Sequence, residues 1–600
     1  MFTKELDAAT TIFLETLEHK DLPMPESVEW VPIPFRSQWG FGTAACFQVA
    51  AAEARQGTKL HVPTRAQEIA DQLSHELTPP DGFEVIEAEN GYLNLYINKG
   101  DYARRVTNTV LDQGSDFGSG DPKEDIVMVE YVQPNTHHSF SIGHARNAIL
   151  GEALARLVSF AGYPMIRASY PGDIGLGVIT CMWAYEKFYK GQEPEGVHER
   201  GQWLADIYAE ATQLVSIHEG ETEAEAMQRE AYDAERRAMY KAWDEGDPEV
   251  RALWLETRQW SLDELDAILK ILDIDIDVFF FESEVDEPAK EIVEELVQQG
   301  IAEDERPEGP VIVKIDEKLG LSKEKYRTTV ILRSDGTTLY STKDLALAKA
   351  KFEEYDVDRS IYVVDVRQSL HFQQVFKILE LWGFPQAKNC FHLAHGLVAL
   401  PEGAMSSRHG NVILFMDVLE EAERRVHDII AEKNPDLSEQ AREDVVRQVG
   451  LGALQYSMLS VDNNKDIIFN WDEALSFEGQ SAPYIQNAHV RANSILRRAN
   501  QIPDDAHFVY EMDPTEIDLI DKISQFPTTV KRSAEEYKPL TIATYAYELG
   551  RAFHLFYHAA RVIQAEDPEI RASRIRLTAA AKQTLANALT LLGIKAPSVM

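Results

Sequence analysis

Cysteine is almost missing from this sequence, with only Cys46, Cys181 and Cys390 in 600 residues. The three lie far apart and form no Cys-x-x-Cys pair, so neither a disulfide framework nor a zinc site is expected, and no metal site held by the protein. No apolar run approaches the length of a membrane span, which excludes a membrane-embedded segment. The amino terminus, MFTKELDAATTIFLETLEHK, lacks the basic start and apolar stretch of a secretory signal, so cytoplasm is the expected compartment. Positive charge is also scarce: 59 Lys and Arg face 99 Asp and Glu, a formal net charge of −40. Taken globally that opposes nucleic-acid binding, but the distribution matters more than the sum. Residues 487–600 hold 14 Lys and Arg against 13 Asp and Glu, leaving 45 against 86 in the rest. Only the carboxyl-terminal segment escapes strong repulsion of a polyanion.

What is present is an ordinary globular composition, 44% apolar and 26% charged, in a chain long enough for three or four domains. Residues 127–170 carry the clearest grammar. Ile126–Val132 is β-branched and apolar enough for a strand buried on both faces. A polar loop, Gln133–Ser141, follows, and Ile149, Leu150, Ala153, Leu154, Leu157 and Val158 then recur at helical spacing up to Gly162. Met165–Tyr170 reads as a second strand. The unit is a parallel βαβ with its loop at a strand's carboxyl end, where open α/β sheets bind ligands. A loop running into a helix N-terminus also suits phosphate.

The remaining chain divides around this unit. Residues 1–122 read as a small α+β domain, with helices over Leu6–Leu17, Ala44–Arg55 and Thr64–Leu77 and a strand over Tyr92–Ile97. Gly40–Ala45 fits a loose Gly-x-Gly-x-x-Ala pattern, which is discounted because the preceding VPIPFRSQW is a poor buried strand. Tyr170-Pro171-Gly172-Asp173-Ile174-Gly175-Leu176-Gly177 is a glycine-rich turn at a strand end. Residues 190–270 read as an inserted helical region, including Glu223–Trp243 and Ser261–Leu272. Strands are expected at Ile274–Phe281, Pro310–Lys314, Thr328–Leu332 and Ile361–Val366, with a turn at Ser334-Asp335-Gly336. From Val445 the chain is nearly all helix.

Pro134-Asn135-Thr136 followed by Ser141-Ile142-Gly143-His144 is similar to the His-x-Gly-His signature of class I aminoacyl-tRNA synthetases, with the Pro-Asn pair of the arginine enzymes before it. Gly403-Ala404-Met405-Ser406-Ser407-Arg408-His409-Gly410-Asn411 is similar to their Lys-Met-Ser-Lys-Ser loop. Trp471–Leu475 and Ala482–Gln486 match the start of the helical anticodon-binding domain. The chain therefore resembles the arginyl-tRNA synthetases, over its whole length and in the family's order. It departs at Ser141, Gly177, Ala404 and His409, where relatives carry His, His, Lys and Lys.

The resemblance implies a Rossmann-type parallel-sheet catalytic domain over 123–400 with the helical insertion inside it. It also implies a signature-loop and connecting helical region over 401–475, and an all-α anticodon-binding domain over 476–600. The amino-terminal domain would contact the outer corner of tRNA. The implied reaction is ATP-dependent activation of L-arginine and transfer to arginine tRNA, by a monomer without membrane attachment, with Mg2+ accompanying the ATP. His144, Ser141, Ser406, Ser407, Arg408 and His409 are the implied catalytic residues. Gly143, His144, His395, Gly396, Val398 and Met405 are the implied ATP contacts. A guanidinium demands planar acceptors and rewards a carboxylate pair or an aromatic face. Glu130, Glu282, Tyr340 and Asp344 occupy the matching positions, and Asn135 and Gln368 match contacts to the amino-acid end. The altered signature residues also admit a second reading, a weakened paralogue serving as an arginine- or tRNA-binding module.

Overall fold

The computed structural model describes residues 2–56, 60–400 and 413–600. Helix Thr3–His19 opens a small domain whose antiparallel sheet comprises β1 (Val31–Pro32), β2 (Gly40–Thr43), β3 (Phe83–Glu89) and β4 (Tyr92–Ile97), in the order β1-β2-β4-β3. Its core joins Phe13 and Leu17 of that helix to Val49, Ile69 and Leu73 of helices Ala45–Arg55 and Val62–Glu76 and to Leu93 of β4. The loose glycine pattern lies in β2 and is no nucleotide loop. A Cβ at Gly40 would sit 2.5 Å from the Leu95 carbonyl oxygen, and one at Gly42 2.6 Å from Asn94 Oδ1. Close strand approach is what those glycines serve.

Helix Lys99–Gln113 leaves this domain and packs on Pro568–Leu591, at the opposite end of the chain. Arg576 Nη2 donates to Asn108 Oδ1 at 2.6 Å, and Asn587 Nδ2 to the Gly114 carbonyl at 3.0 Å.

Strands β5 (Val127–Glu130), β6 (Met165–Ser169) and β7 (Val278–Phe279) enter the central sheet in turn. The chain then detours through β8 (Glu303–Asp304), β9 (Val311–Lys314) and β10 (Thr328–Leu332), a separate antiparallel sheet, and returns as β11 (Arg359–Asp365) and β12 (Cys390–His395). The central order is β12-β11-β5-β6-β7, parallel throughout. Helix Ile142–Phe160 crosses over between β5 and β6 and is buried nearly all round, as its continuous apolar surface requires. One expectation changes here. The strand predicted over Ile274–Phe281 shrinks to two residues, Val278 and Phe279, pairing with the end of β6, while Asp277 and Phe280 on either side add single bonds to Arg167 and Ser169. The strands expected at Pro310–Lys314 and Thr328–Leu332 are present as β9 and β10, in the detour.

Between β6 and β7 stand helices Val197–Leu214, Glu223–Asp244 and Pro248–Leu272. The second buries only Trp243, so its charges face solvent. After β12, β13 (Val398–Ala399) pairs in parallel with β14 (Ile467–Ile468), and helices Phe415–Lys433 and Glu439–Leu459 pack together. Five helices between Ala482 and Leu591 complete the chain, and its tail is tied back through the Gln486 Nε2 bond to the Lys595 carbonyl at 2.9 Å. No described helix is long and apolar enough to cross a membrane.

Candidate active site

In the central sheet the connections run one way from β5 to β6 and the other way through β11 to β12, so the switch point lies between β5 and β11. A cleft of about 590 Å3 opens there at the strands' carboxyl ends. Glu130 ends β5, Asp365 ends β11, His395 ends β12, and all three line it.

One end of the cleft is the start of helix Ile142–Phe160. Ser141 is its N-cap: the His144 N–H donates to Ser141 Oγ at 3.3 Å, and the Ser141 N–H donates to His144 Nδ1 at 3.1 Å. A ring nitrogen that accepts carries no proton, so this bond sets the tautomer of His144 and leaves Nε2–H as a donor. The Ser141 hydroxyl hydrogen is likewise free of the cap. Burial, with His138 and His395 nearby, pushes the His144 pKa down to about 4, so the ring is neutral at pH 7. His395 spends both nitrogens on the protein, Nδ1 on the Gly396 carbonyl at 3.1 Å and Nε2 on Asn147 Nδ2 at 3.2 Å. Gly396 allows a close approach, since a Cβ there would lie 2.4 Å from the Lys465 carbonyl. Ile413 and Phe415 hydrogen-bond to Ile142 and Phe140, so the chain following residues 401–412 sits beside Ser141. Ala404, Met405, Ser406, Ser407, Arg408 and His409 themselves lie outside the described residues. Val398, on β13, does not line the cleft; Leu397 does.

The other end is dense in carboxylates. Glu130 pairs with the fully buried Lys351, Nζ to Oε2 at 2.5 Å, and Gln133 Nε2 donates to its other oxygen at 3.3 Å. Glu282, at the first turn of Glu282–Gln298, pairs with Lys343 at 2.7 Å, and burial raises its pKa against the pull of that lysine. Asp344 meets the His371 Nε2 at 2.5 Å. Among the described residues the buried Tyr170 hydroxyl has no hydrogen-bond partner, and burial among Asp344, Glu282 and Glu130 drives its pKa up, so it stays protonated. Tyr340 is 69% exposed and stands at the mouth. Asn135 and Gln368 are exposed on the rim. A Cβ at Gly172 would meet Asn135 Oδ1 at 2.5 Å and Glu282 Oε2 at 3.1 Å, so glycine in the turn after β6 leaves room for these two cleft side chains. Thus the cleft gathers Glu130, Asn135, Glu282, Tyr340, Asp344 and Gln368 with Ser141, Gly143, His144, His395 and Gly396. Residues from five separate stretches converge on one cavity.

Residues 105–471 match the family of class I tRNA synthetases (R), catalytic domain, and residues 485–600 the DALR anticodon binding domain. The chain is 35% identical to an arginine–tRNA ligase of Bdellovibrio bacteriovorus over 94% of its own length and 93% of that protein's. It is 33% identical to an arginine–tRNA ligase of Clostridium perfringens, over 96% and 97% of the two lengths. The chain belongs to the class I arginyl-tRNA synthetases. The fold agrees with that of Thermus thermophilus arginyl-tRNA synthetase at a TM-score of 0.75 and 26% identity, covering 99% of this chain and all of that one.

Within this family framework, Gly177 has a local explanation. A Cβ there would lie 2.9 Å from the Tyr208 hydroxyl, and Tyr208 in turn packs on His138 with ring centroids 4.1 Å apart. An aromatic from the inserted helices fills the space that a larger residue at 177 needs. Sequence reasoning assigned no role to Asn147, Tyr170 or His371, all of which line the cleft. Asn147 ties the carboxyl-terminal parts of β5, β11 and β12 together, accepting the Val132 N–H at 2.6 Å and donating to the Val363 carbonyl at 2.6 Å and to His395. Its spacing of three from His144, on the same helix face, was the available signal. Tyr170 and His371 each end or follow a buried strand, which marks position but not role. Asp173 is fully buried behind the cleft, where it pairs with Arg258 at 2.9 Å and accepts the Ser283 N–H at 2.9 Å.

Proposed function

We propose that the chain activates L-arginine with ATP, as arginyl-adenylate and pyrophosphate, and passes the arginyl group to the 3′ end of arginine tRNA. The observation that carries this reading is one cleft with two chemically different ends at the switch point of a parallel sheet. In the first step the arginine carboxylate attacks the α-phosphorus of ATP and pyrophosphate leaves; in the second a terminal ribose hydroxyl of tRNA attacks the arginyl carbonyl carbon, forming the ester as AMP leaves. Little covalent work falls to the protein, so its contribution is positioning and stabilisation of phosphate charge. His144 Nε2–H and the Ser141 hydroxyl supply neutral donors at the nucleotide end. Asp344, Glu282 and Glu130 make up the guanidinium end, with Tyr340 closing over it, and Asn135 and Gln368 hold the amino-acid end. ATP arrives as its magnesium complex and is written here as substrate. The charge balance of residues 487–600 and their match to an anticodon-binding family support tRNA docking there. A monomer acting in the cytoplasm completes the reading.

The test is exchange of labelled pyrophosphate into ATP, run with and without arginine and arginine tRNA. Exchange that needs arginine and appears in the presence of tRNA is expected. No exchange with all components present, alongside retained arginine or tRNA binding, would make the chain a binding module instead.

A further inference from the structure

Four carboxylates line the cleft, Glu130, Glu282, Asp344 and Asp365, and each has a different partner; that of Asp365 is Arg367. Glu130 is paired with Lys351 and Glu282 with Lys343. Among the described residues, the ion-pair partner of Asp344 is an imidazole, His371, with Nε2 2.5 Å from Oδ2. A lysine at that place would both orient the carboxylate and cancel its charge. A histidine orients it through a single Nε2–H donor.

We infer that His371 is the positioning residue that turns Asp344 toward the substrate's cationic end, and that it sets the preference for a guanidinium over an uncharged side chain. The inference rests on the arginine-ligase reading above. A carboxylate recognises a guanidinium best when its plane is fixed, because two parallel bonds must form at once. The terminal torsion of an aspartate is broad and does not fix that plane by itself. The bond from His371 does so through Oδ2, on a carboxylate that lines the cleft. His371 is itself held. It lies in the first turn of helix Ser369–Trp382, directly after the short turn Val366–Gln368 that ends β11. Its ring stands edge-on to Phe372, with centroids 5.2 Å apart and planes at 81°. Asp344 sits one turn into helix Tyr340–Glu354, which packs against the His371 helix. The pair therefore bridges two helices at the cleft wall, with side chains 22% and 17% exposed. Glu130 and Glu282 keep the pocket polar, while Asp344 alone lacks a permanent counter-charge and is the site a cation gains most by approaching.

The test compares His371→Leu, His371→Gln and His371→Lys with the wild type. Arginine and ATP binding are measured by calorimetry, and KM and kcat for arginine and for the uncharged analogue citrulline by tRNA-dependent pyrophosphate exchange. His371→Leu should weaken arginine by about ten- to a hundredfold, the range for a hydrogen bond to a charged group. ATP affinity and kcat should stay near wild type, and the arginine-to-citrulline preference should narrow. His371→Gln, which keeps an N–H donor, should recover most of the loss. His371→Lys should bind arginine poorly even though its contact with Asp344 is an ion pair. The inference is overturned by a leucine variant with unchanged arginine affinity, by equal losses of arginine and ATP, or by a lysine variant that binds arginine like wild type. Wild-type protein that binds no arginine would overturn the function as well. Arginine binding that survives in every variant removes this inference alone.

Discussion

At one end of the cleft Glu130, Glu282 and Asp344 crowd together with Lys351, Lys343 and His371. At the other, Ser141, His144, His395 and Gly396 present hydroxyl, imidazole and backbone groups without net charge. The one permanent cation among the described lining residues, Arg367, is paired with Asp365 at 2.9 Å. The two ends thus solve different problems. Selecting a guanidinium requires an uncompensated negative charge at a fixed place. Guiding a triphosphate through a transition state requires donors aimed at developing charge, and neutral donors do this without having to be desolvated as ions.

The comparison breaks most visibly if the first end loses its internal compensation. Lys351→Met leaves Glu130, 3% exposed, without its cation. The expected cost is about 3–5 kcal/mol, seen as a lower denaturant midpoint. A shift worth less than about 1 kcal/mol would mean that the pair is solvated like a surface ion pair.

At the opposite end, His144→Asn should keep the cap, because an asparagine oxygen can still accept the Ser141 N–H, while the Nε2–H donor is lost. Adenylate formation should slow by about a hundred- to a thousandfold, with arginine affinity unchanged in calorimetry. The pH profile sharpens the point. The folded His144 pKa, about 4, lies below its unfolded value, so its neutral form favours folding above the unfolded pKa. That contribution is lost as pH falls from about 6.5 toward about 4. Its donor role should therefore be flat across pH 7–8, and a step in the exchange rate there that vanishes in His144→Asn would contradict the neutral assignment.

The smallest effect concerns the departure at Gly177. Gly177→His drives a side chain into Tyr208 and should lower stability by about 1–3 kcal/mol, the usual cost of overpacking. Tyr208→Ala in the same chain should restore the melting temperature. A stable single variant would show that the inserted helices yield freely at that contact.

Much of this was legible before the structure. The β5–helix–β6 unit followed from a buried strand, a polar loop and helical spacing, because those patterns reflect local physics. Tyr92–Ile97 and Thr328–Leu332 fall where their β-branched and aromatic residues put them. The strand over 274–281 did not, since its apolar alternation is real but only residues 277–280 hydrogen-bond to β6. Its length was set by where β6 ends, a tertiary fact. The same division holds in the cleft. Glu130 could be named a site residue from its place at a strand end, but its pairing with Lys351 joins positions 221 apart and leaves no local trace. Ser141 reads in sequence as a missing histidine and in the structure as a helix cap. His371 was visible after a strand, yet its role depends on a helix that begins thirty residues earlier and returns beside it.

The central claim is that the two ends act separately, one by a charge and the other by neutral donors. The most direct measurement sets Asp344→Asn beside His144→Asn and determines the dissociation constants of both arginine and ATP for each. Asp344→Asn keeps the shape and removes the charge. It should cost arginine about 2–5 kcal/mol of affinity if the contact is buried, and leave ATP within error. His144→Asn should leave arginine untouched and spare it from any share in the ATP-side loss. If both variants weaken both ligands alike, the cleft is one coupled site and the division drawn here is wrong.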